Sequence, residues 1–304
     1  LSQRKRWMQV SILFPGKCLK KDLFWKDFLN RWLSMREVLD GLREKGHEVV
    51  VVAPEISIHI KPSENFIMKL YPIPFTKEEV DASVHSFSRE VFEEGSFLER
   101  FLKVYRRLKN ISAISSSTCE HLLNNKELVR YLEESKFDAV FTDPVVPCGQ
   151  ILAEHLSIPS VFFLRVMPCG LDFDAAQCPS PPSYVPRVFT GNTDRMNFFQ
   201  RVKNLLADIP NLFLCDFVFQ PYAKLASEFL QREVTVPDLL HQASIWLMRL
   251  DFVLDYPRPL MPNVIVVGGV NCAHKKLSQV GRALFLIRAL TDLCVHKGGI
   301  LCCG

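Results

Sequence analysis

The 304-residue chain has no uninterrupted apolar run near the ~18 residues that a membrane-spanning helix needs. The longest candidate, residues 211–222, is broken by Asp216 and Gln220. It has no C-x-x-C pair among its ten cysteines, so the sequence gives no reason to expect zinc or any other metal. Ten are too few for a disulfide scaffold and many for a reduced protein. Cys148 and Cys169 are expected to be small core fillers, and Cys302-Cys303 are vicinal. It has no clustered charge of one sign: 37 basic and 33 acidic residues give +4, and apart from Arg4-Lys5-Arg6 the basic residues are scattered, which argues against a nucleic-acid partner. The first residues lack the apolar core of a signal peptide, and the start at Leu1 suggests an incomplete beginning. There are no internal repeats, and no strand is followed by G-x-G-x-x-G. Gly268-Gly269 lead into no helix with a third glycine, so a nicotinamide-dependent enzyme is excluded.

What remains is an ordinary globular composition, 48% hydrophobic and 23% charged, long enough for a large α/β domain. Ser34-Met-Arg-Glu37 has the form of a capping box. Met35, Val38, Leu39 and Leu42 follow at helical spacing, Gly46 ends the helix, and His47 leads into an apolar strand at residues 48–53. Further strands are expected at 68–73, 137–141, 160–166, 245–250 and 263–269. Helices are expected over most of 91–130 and at 148–156, 194–206, 222–231 and 236–242. Residues 178–186 are proline-rich and read as a loop over the sheet edge, and 256–262 as a rigid linker. Helices alternating with fully apolar strands over short links predict a single doubly wound parallel sheet, a Rossmann-like α/β domain.

The stretch Phe137-Asp-Ala-Val-Phe-Thr-Asp-Pro144 places a carboxylate, Asp143, just past a buried strand. Groups at that end of a strand line the functional crevice of open α/β sheets. Asp143 is therefore either a functional carboxylate or the cap of the helix that starts near Cys148. Asn110-Ile111-Ser112 is the one N-glycosylation sequon, with Asn110 as acceptor.

Ordered blocks across the chain resemble the N-terminal half of the UDP-glucuronosyltransferases, first subfamily. They include Arg43-Glu-Lys-Gly-His-Glu48, residues 137–144, Leu156-Ser-Ile-Pro-Ser-Val-Phe-Phe-Leu-Arg165, Gln200-Arg-Val-Lys-Asn204, and Asp251-Phe-Val-Leu-Asp-Tyr-Pro-Arg-Pro259. The resemblance implies a GT-B glycosyltransferase, in which an N-terminal Rossmann-like domain holds a small lipophilic acceptor. A second domain holds the co-substrate UDP-glucuronic acid, with no cofactor. It also implies the lumenal side of the endoplasmic reticulum, a C-terminal membrane helix, and oligomers with full-length transferases. The family's base histidine and its orienting aspartate carry over unequally: the aspartate falls on Asp143, whereas Arg31 stands at the histidine's position. A guanidinium stays protonated and cannot accept the acceptor's proton. Phe162, Phe163, Arg165 and Tyr184 are candidate acceptor-lining residues, although core packing fits both phenylalanines equally well. Arg258 matches a family arginine near the donor sugar, although stiffening the linker fits it as well.

The resemblance spans residues 33–279. Residues 1–32 are expected to be divergent, with either a first strand at 8–14 or a misassigned exon there, and 280–304 to be an unrelated tail, either read-through of unspliced sequence or a divergent amphipathic segment. On this reading the chain lacks the donor domain and the base, and is inactive alone. The alternative is a non-catalytic acceptor-binding or regulatory partner of full-length transferases.

Overall fold

The computed structural model describes residues 5–10, 31–56, 60, 65–90, 97–165, 167–187, 190–249, 256–268 and 270. The chain divides into two compact units, Leu1–Gly268 and Gly269–Gly304. Of the second only Val270 is described, so the expected tail lies outside the described residues.

The first unit is built on a seven-stranded sheet with every pairing parallel. In chain order its strands are β1 (Arg6–Val10), β2 (Glu48–Pro54), β3 (Ile67–Tyr71), β4 (Ala139–Thr142), β5 (Ser160–Leu164), β6 (Ile245–Met248) and β7 (Val264–Val266). Their spatial order is β3-β2-β1-β4-β5-β6-β7. The order reverses between β1 and β4, and in a doubly wound sheet that reversal opens a crevice at the carboxyl ends of the strands. The first strand is Arg6–Val10, beginning two residues before the expected 8–14, of which 11–14 lie outside the described residues, and it is central: Met8 registers with Val50 on one side and Val140 on the other.

Helices cover both faces. On one, α1 (Arg31–Glu44) lays the buried Trp32, Met35 and Leu39 against the sheet. Its far end closes as the sequence predicts. Gly46 adopts φ +85°, and the His47 and Gly46 amides donate to the Leu42 and Arg43 carbonyls at 3.1 and 2.7 Å. Its start differs, because the helix begins three residues before Ser34. The Ser34 hydroxyl instead accepts from Arg249 Nη1 at 2.5 Å.

The other face carries α2 (Lys77–Glu90), α3 (Phe97–Asn124), α4 (Lys126–Glu134), α5 (Cys148–His155) and the short α6 (Leu171–Ala175), then α7 (Phe198–Leu206), α8 (Asp208–Leu230) and α9 (Val236–His241). Met8, Val50, Val52, Val140, Phe162 and Trp246 line this face of the sheet, and the core continues into Leu122, Ile151 and Tyr222 of the helices. Two elements depart from expectation. α2 is unanticipated, although Thr76-Lys-Glu-Glu79 marks its start. The Thr76 hydroxyl accepts from the Glu79 amide, and the Glu79 carboxylate accepts from the Thr76 amide at 2.8 Å. α8 runs straight through Pro221, where a helix was expected to begin only at Tyr222. Packing against α3 overrides the proline. The Ser112 hydroxyl donates to the Val218 carbonyl, and the Tyr222 hydroxyl reaches Ser115 Oγ, both at 2.5 Å.

Cys148 is not a reduced core filler. It is disulfide-bonded to Cys119, joining α5 to α3 across 29 residues of sequence, and Cys215 is disulfide-bonded as well. Both partners of the first bridge are fully buried, the same burial that a small apolar side chain would show. Of Cys169 only the backbone is described. Cys178 is a buried free thiol.

Candidate active site

The carboxyl edge of the sheet is fixed from below. Thr142, the last residue of β4, is buried and donates its hydroxyl to the Val10 carbonyl at the end of β1 at 3.2 Å, stitching the two strands at the reversal point. Gly149 in the first turn of α5 packs directly on that threonine; a Cβ there would lie 2.7 Å from Thr142 Cβ. Asp143 follows at once, half-buried, and its Oδ1 accepts from the Val145 amide at 3.0 Å. The N-cap of α5 is Pro147 with no side-chain cap hydrogen bond, so Asp143 does not cap that helix.

Three guanidinium residues follow the strands on the same side. Arg165 comes directly after β5 and is half-buried. Arg249 comes directly after β6. Its amide donates to the Leu164 carbonyl at 2.7 Å, its Nη1 bonds Ser34, and its guanidinium carbon lies 5.6 Å from the Phe163 ring centre. Arg258, in the segment between β6 and β7, stacks over Phe173 at 4.1 Å. Arg249 escaped sequence reasoning, although a cation placed immediately after an apolar strand obeys the same rule that singled out Asp143.

Near Arg258 sits a second carboxylate that sequence reasoning missed. Asp172 is 3% exposed, and neither oxygen makes a hydrogen bond. Burial raises its pKa to about 6, against a lowering pull from Arg258. Nearby amides of Asp172 itself and Met167 favour the charge without reaching hydrogen-bond geometry. No local pattern marks it, because Leu171-Asp-Phe-Asp174 reads as an ordinary helix start.

The other expected residues are dispersed. Phe162 and Phe163 are both buried and, as neighbours on one strand, face opposite sides of the sheet. Phe162 meets Trp246 edge-on at 4.9 Å in the main core, while Phe163 meets Phe141 at 5.5 Å on the α1 side. Tyr184 is 41% exposed in the proline-rich loop. Arg31 is the first residue of α1, and its side chain is outside the described residues, so a pairing with Asp143 is too. Asn110 is exposed but lies in the middle of α3, and the Ser112 of its sequon is buried.

The described histidine side chains hold structural posts. His47 accepts the Lys5 amide at Nδ1, 3.3 Å; His155 pairs with Glu133 at 2.7 Å; and His121 and His241 donate Nδ1–H to the Ser117 and Ala175 carbonyls. His47, His155 and His241 each lie just before a strand, at the amino edge of the sheet and away from Asp143. Only the backbone of His85, within α2, is described, and His59, His274 and His296 fall outside the described residues. Among the described residues no cluster of His, Cys, Asp or Glu could hold a metal ion, and no helix is long and apolar enough to cross a membrane.

The family model for UDP-glucoronosyl and UDP-glucosyl transferases matches residues 20–284. This chain belongs to that family. It is 54% identical over 251 residues to UDP-glucuronosyltransferase 1A1 of Rattus norvegicus and 53% identical to that of Homo sapiens, each match covering 82% of this chain and 47% of the relative. The chain therefore spans about half the length of these relatives. Among solved structures, a glycotransferase of kitacinnamycin aligns with TM-score 0.46 at 12% identity, covering 88% of this chain and 52% of that one.

Proposed function

We propose that this chain forms the acceptor-binding half of a transferase that moves glucuronic acid from UDP-glucuronic acid to small lipophilic hydroxyl compounds. The observation that carries the reading is Asp143, held by its bond to the Val145 amide beside the β1–β4 reversal. A carboxylate so placed can orient an imidazole and stabilise its protonated form while the acceptor oxygen attacks. Arg165, Arg249 and Arg258 place guanidinium groups on the same edge, the side-chain type that pairs with anionic ligands.

Arg31 stands where that imidazole is needed. A guanidinium can neutralise Asp143 but cannot take the acceptor's proton, and losing general-base help forfeits roughly 10²–10⁴-fold in rate. The chain on its own therefore binds acceptor with little or no turnover, and a non-catalytic role beside complete transferases is the second reading that Arg31 favours. The disulfides argue for folding in an oxidising compartment, in keeping with the lumenal side of the endoplasmic reticulum. Incubation with labelled UDP-glucuronic acid and a panel of phenols tests this. Acceptor binding without conjugate is the expected result, and rapid conjugate formation by the unmodified chain would defeat the assignment of Arg31.

A further inference from the structure

The bond between Ser34 and Arg249 joins two halves of the sheet that the strand order separates. Ser34 lies in the first turn of α1, the helix between β1 and β2, and it is fully buried. Arg249 follows β6, and β4 and β5 stand between β6 and β1. α1 ends beside the start of β2, at the amino edge of the sheet. Its first turn therefore lies at the opposite, carboxyl edge, where Asp143 follows β4. The bond from Arg249 Nη1 to Ser34 Oγ, at 2.5 Å, thus passes from one side of the β1–β4 reversal to the other. Three contacts fix the arginine for this reach. Its amide donates to the Leu164 carbonyl at the end of β5, its guanidinium carbon lies 5.6 Å from the Phe163 ring centre, and its Nη1 meets the hydroxyl. Phe163 in turn packs on Phe141 of β4, 5.5 Å away, on the face that α1 covers.

We propose that Arg249 is a positioning residue. It straps the first turn of α1 to the ends of β5 and β6, and so sets the width of the crevice beside Asp143, where the acceptor binds on the function proposed above. A guanidinium that donates to a buried hydroxyl from above a ring has one preferred placement, because the donor direction and the ring face both constrain it. Arg249 is half-buried, so its charge keeps contact with water while its tip holds the helix. Thr142 ties β4 to β1 through the Val10 carbonyl, which fixes the floor of the reversal. Arg249 fixes the wall above that floor, since the turn it holds begins at Arg31 and buries Trp32. A crevice whose walls are held at one separation selects ligands by size. A single aromatic ring touches both walls only while they stay close, and a larger ring system fills a wider gap.

The test is calorimetric binding of para-cresol, with one ring, and of hydroxypyrene, with four fused rings, to the 304-residue chain. Ser34→Ala removes the hydroxyl alone, and Arg249→Met removes the guanidinium while keeping an apolar stem. Each should weaken para-cresol by roughly 10-fold and change hydroxypyrene by less than about 2-fold, so that the ratio of the two affinities shifts by ~5-fold or more. The double variant should go no further than either single one, since both cut the same bond. A role confined to stability would lower the ligand-free melting temperature and leave the ratio at the parent's value. An unchanged ratio, equal weakening of both phenols, or additive losses in the double variant overturns the strap and leaves the acceptor site in place. A parent chain that binds neither phenol overturns the acceptor site and the strap with it. If Arg249→Met fails to fold, Ser34→Ala, which loses a single oxygen, decides through the same ratio.

Discussion

At Asp172 a single side chain sets a pH dependence for the whole fold. Its carboxyl ionises near pH 6 when buried and near 3.8 when solvated, so as the pH climbs between those values the unfolded chain gives up its proton first. Stability at this position is therefore greatest below about pH 4 and declines by roughly 3 kcal/mol as the pH passes 6. Asp172→Asn keeps the shape and removes the charge. Urea midpoints measured across that range should lose this slope and exceed the parent's above pH 6, whereas an unaltered slope would place the titration elsewhere. Gly149 is the other residue with a sharp consequence. Gly149→Ala would drive a methyl group into Thr142, beneath Asp143, and should cost roughly 1–3 kcal/mol of stability in the same measurement. The place of Asp143 just past a strand and the helix end at Gly46 were legible because both follow from local rules about strand ends and helix ends. Asp172 and Gly149 matter through neighbours far away in the chain, which no local pattern encodes.

At the scale of elements, the Cys119–Cys148 bridge ties the longest helix, α3, to the short helix that follows Asp143. Closing a loop across 29 residues should contribute roughly 3–4 kcal/mol by restricting the unfolded chain. Cys119→Ser with Cys148→Ser should lower the melting temperature measurably, and a reductant should lower the parent's by at least as much, because it also opens the bridge that holds Cys215. A melting temperature indifferent to both would mean the bridge adds nothing to stability. The strands were legible because buried parallel strands are continuous apolar runs bounded by Gly and Pro, as residues 48–53 and 160–164 show. The errors cluster where tertiary contacts outrank local preference. α8 passes through Pro221 because α3 holds it on both sides, and α1 starts ahead of Ser34 because that hydroxyl serves Arg249. Cys148 was misread because a disulfide-bonded cysteine and a buried thiol leave the same trace in a sequence.

For the whole molecule, the strand order opens a crevice at the β1–β4 reversal, on the carboxyl edge where Asp143 lies. An acceptor-binding domain can hold the acceptor whether or not turnover follows, since turnover also needs a base and a positioned donor. Binding and catalysis can then be read apart. A phenol that binds only the folded chain, supplied at a hundredfold its Kd, adds about 2.7 kcal/mol to stability. In a unit of this size that raises the melting temperature by roughly 5–10 °C. If Asp143 faces the bound acceptor, Asp143→Ala should shrink that ligand-induced shift while leaving the ligand-free melting temperature close to the parent's. If its only task is to hold the Val145 amide, the reverse holds: the ligand-free melting temperature falls and the shift survives. UDP-glucuronic acid tested the same way separates the two co-substrates. A shift with the phenol and none with the nucleotide sugar is the result expected if the 304 residues hold the acceptor alone.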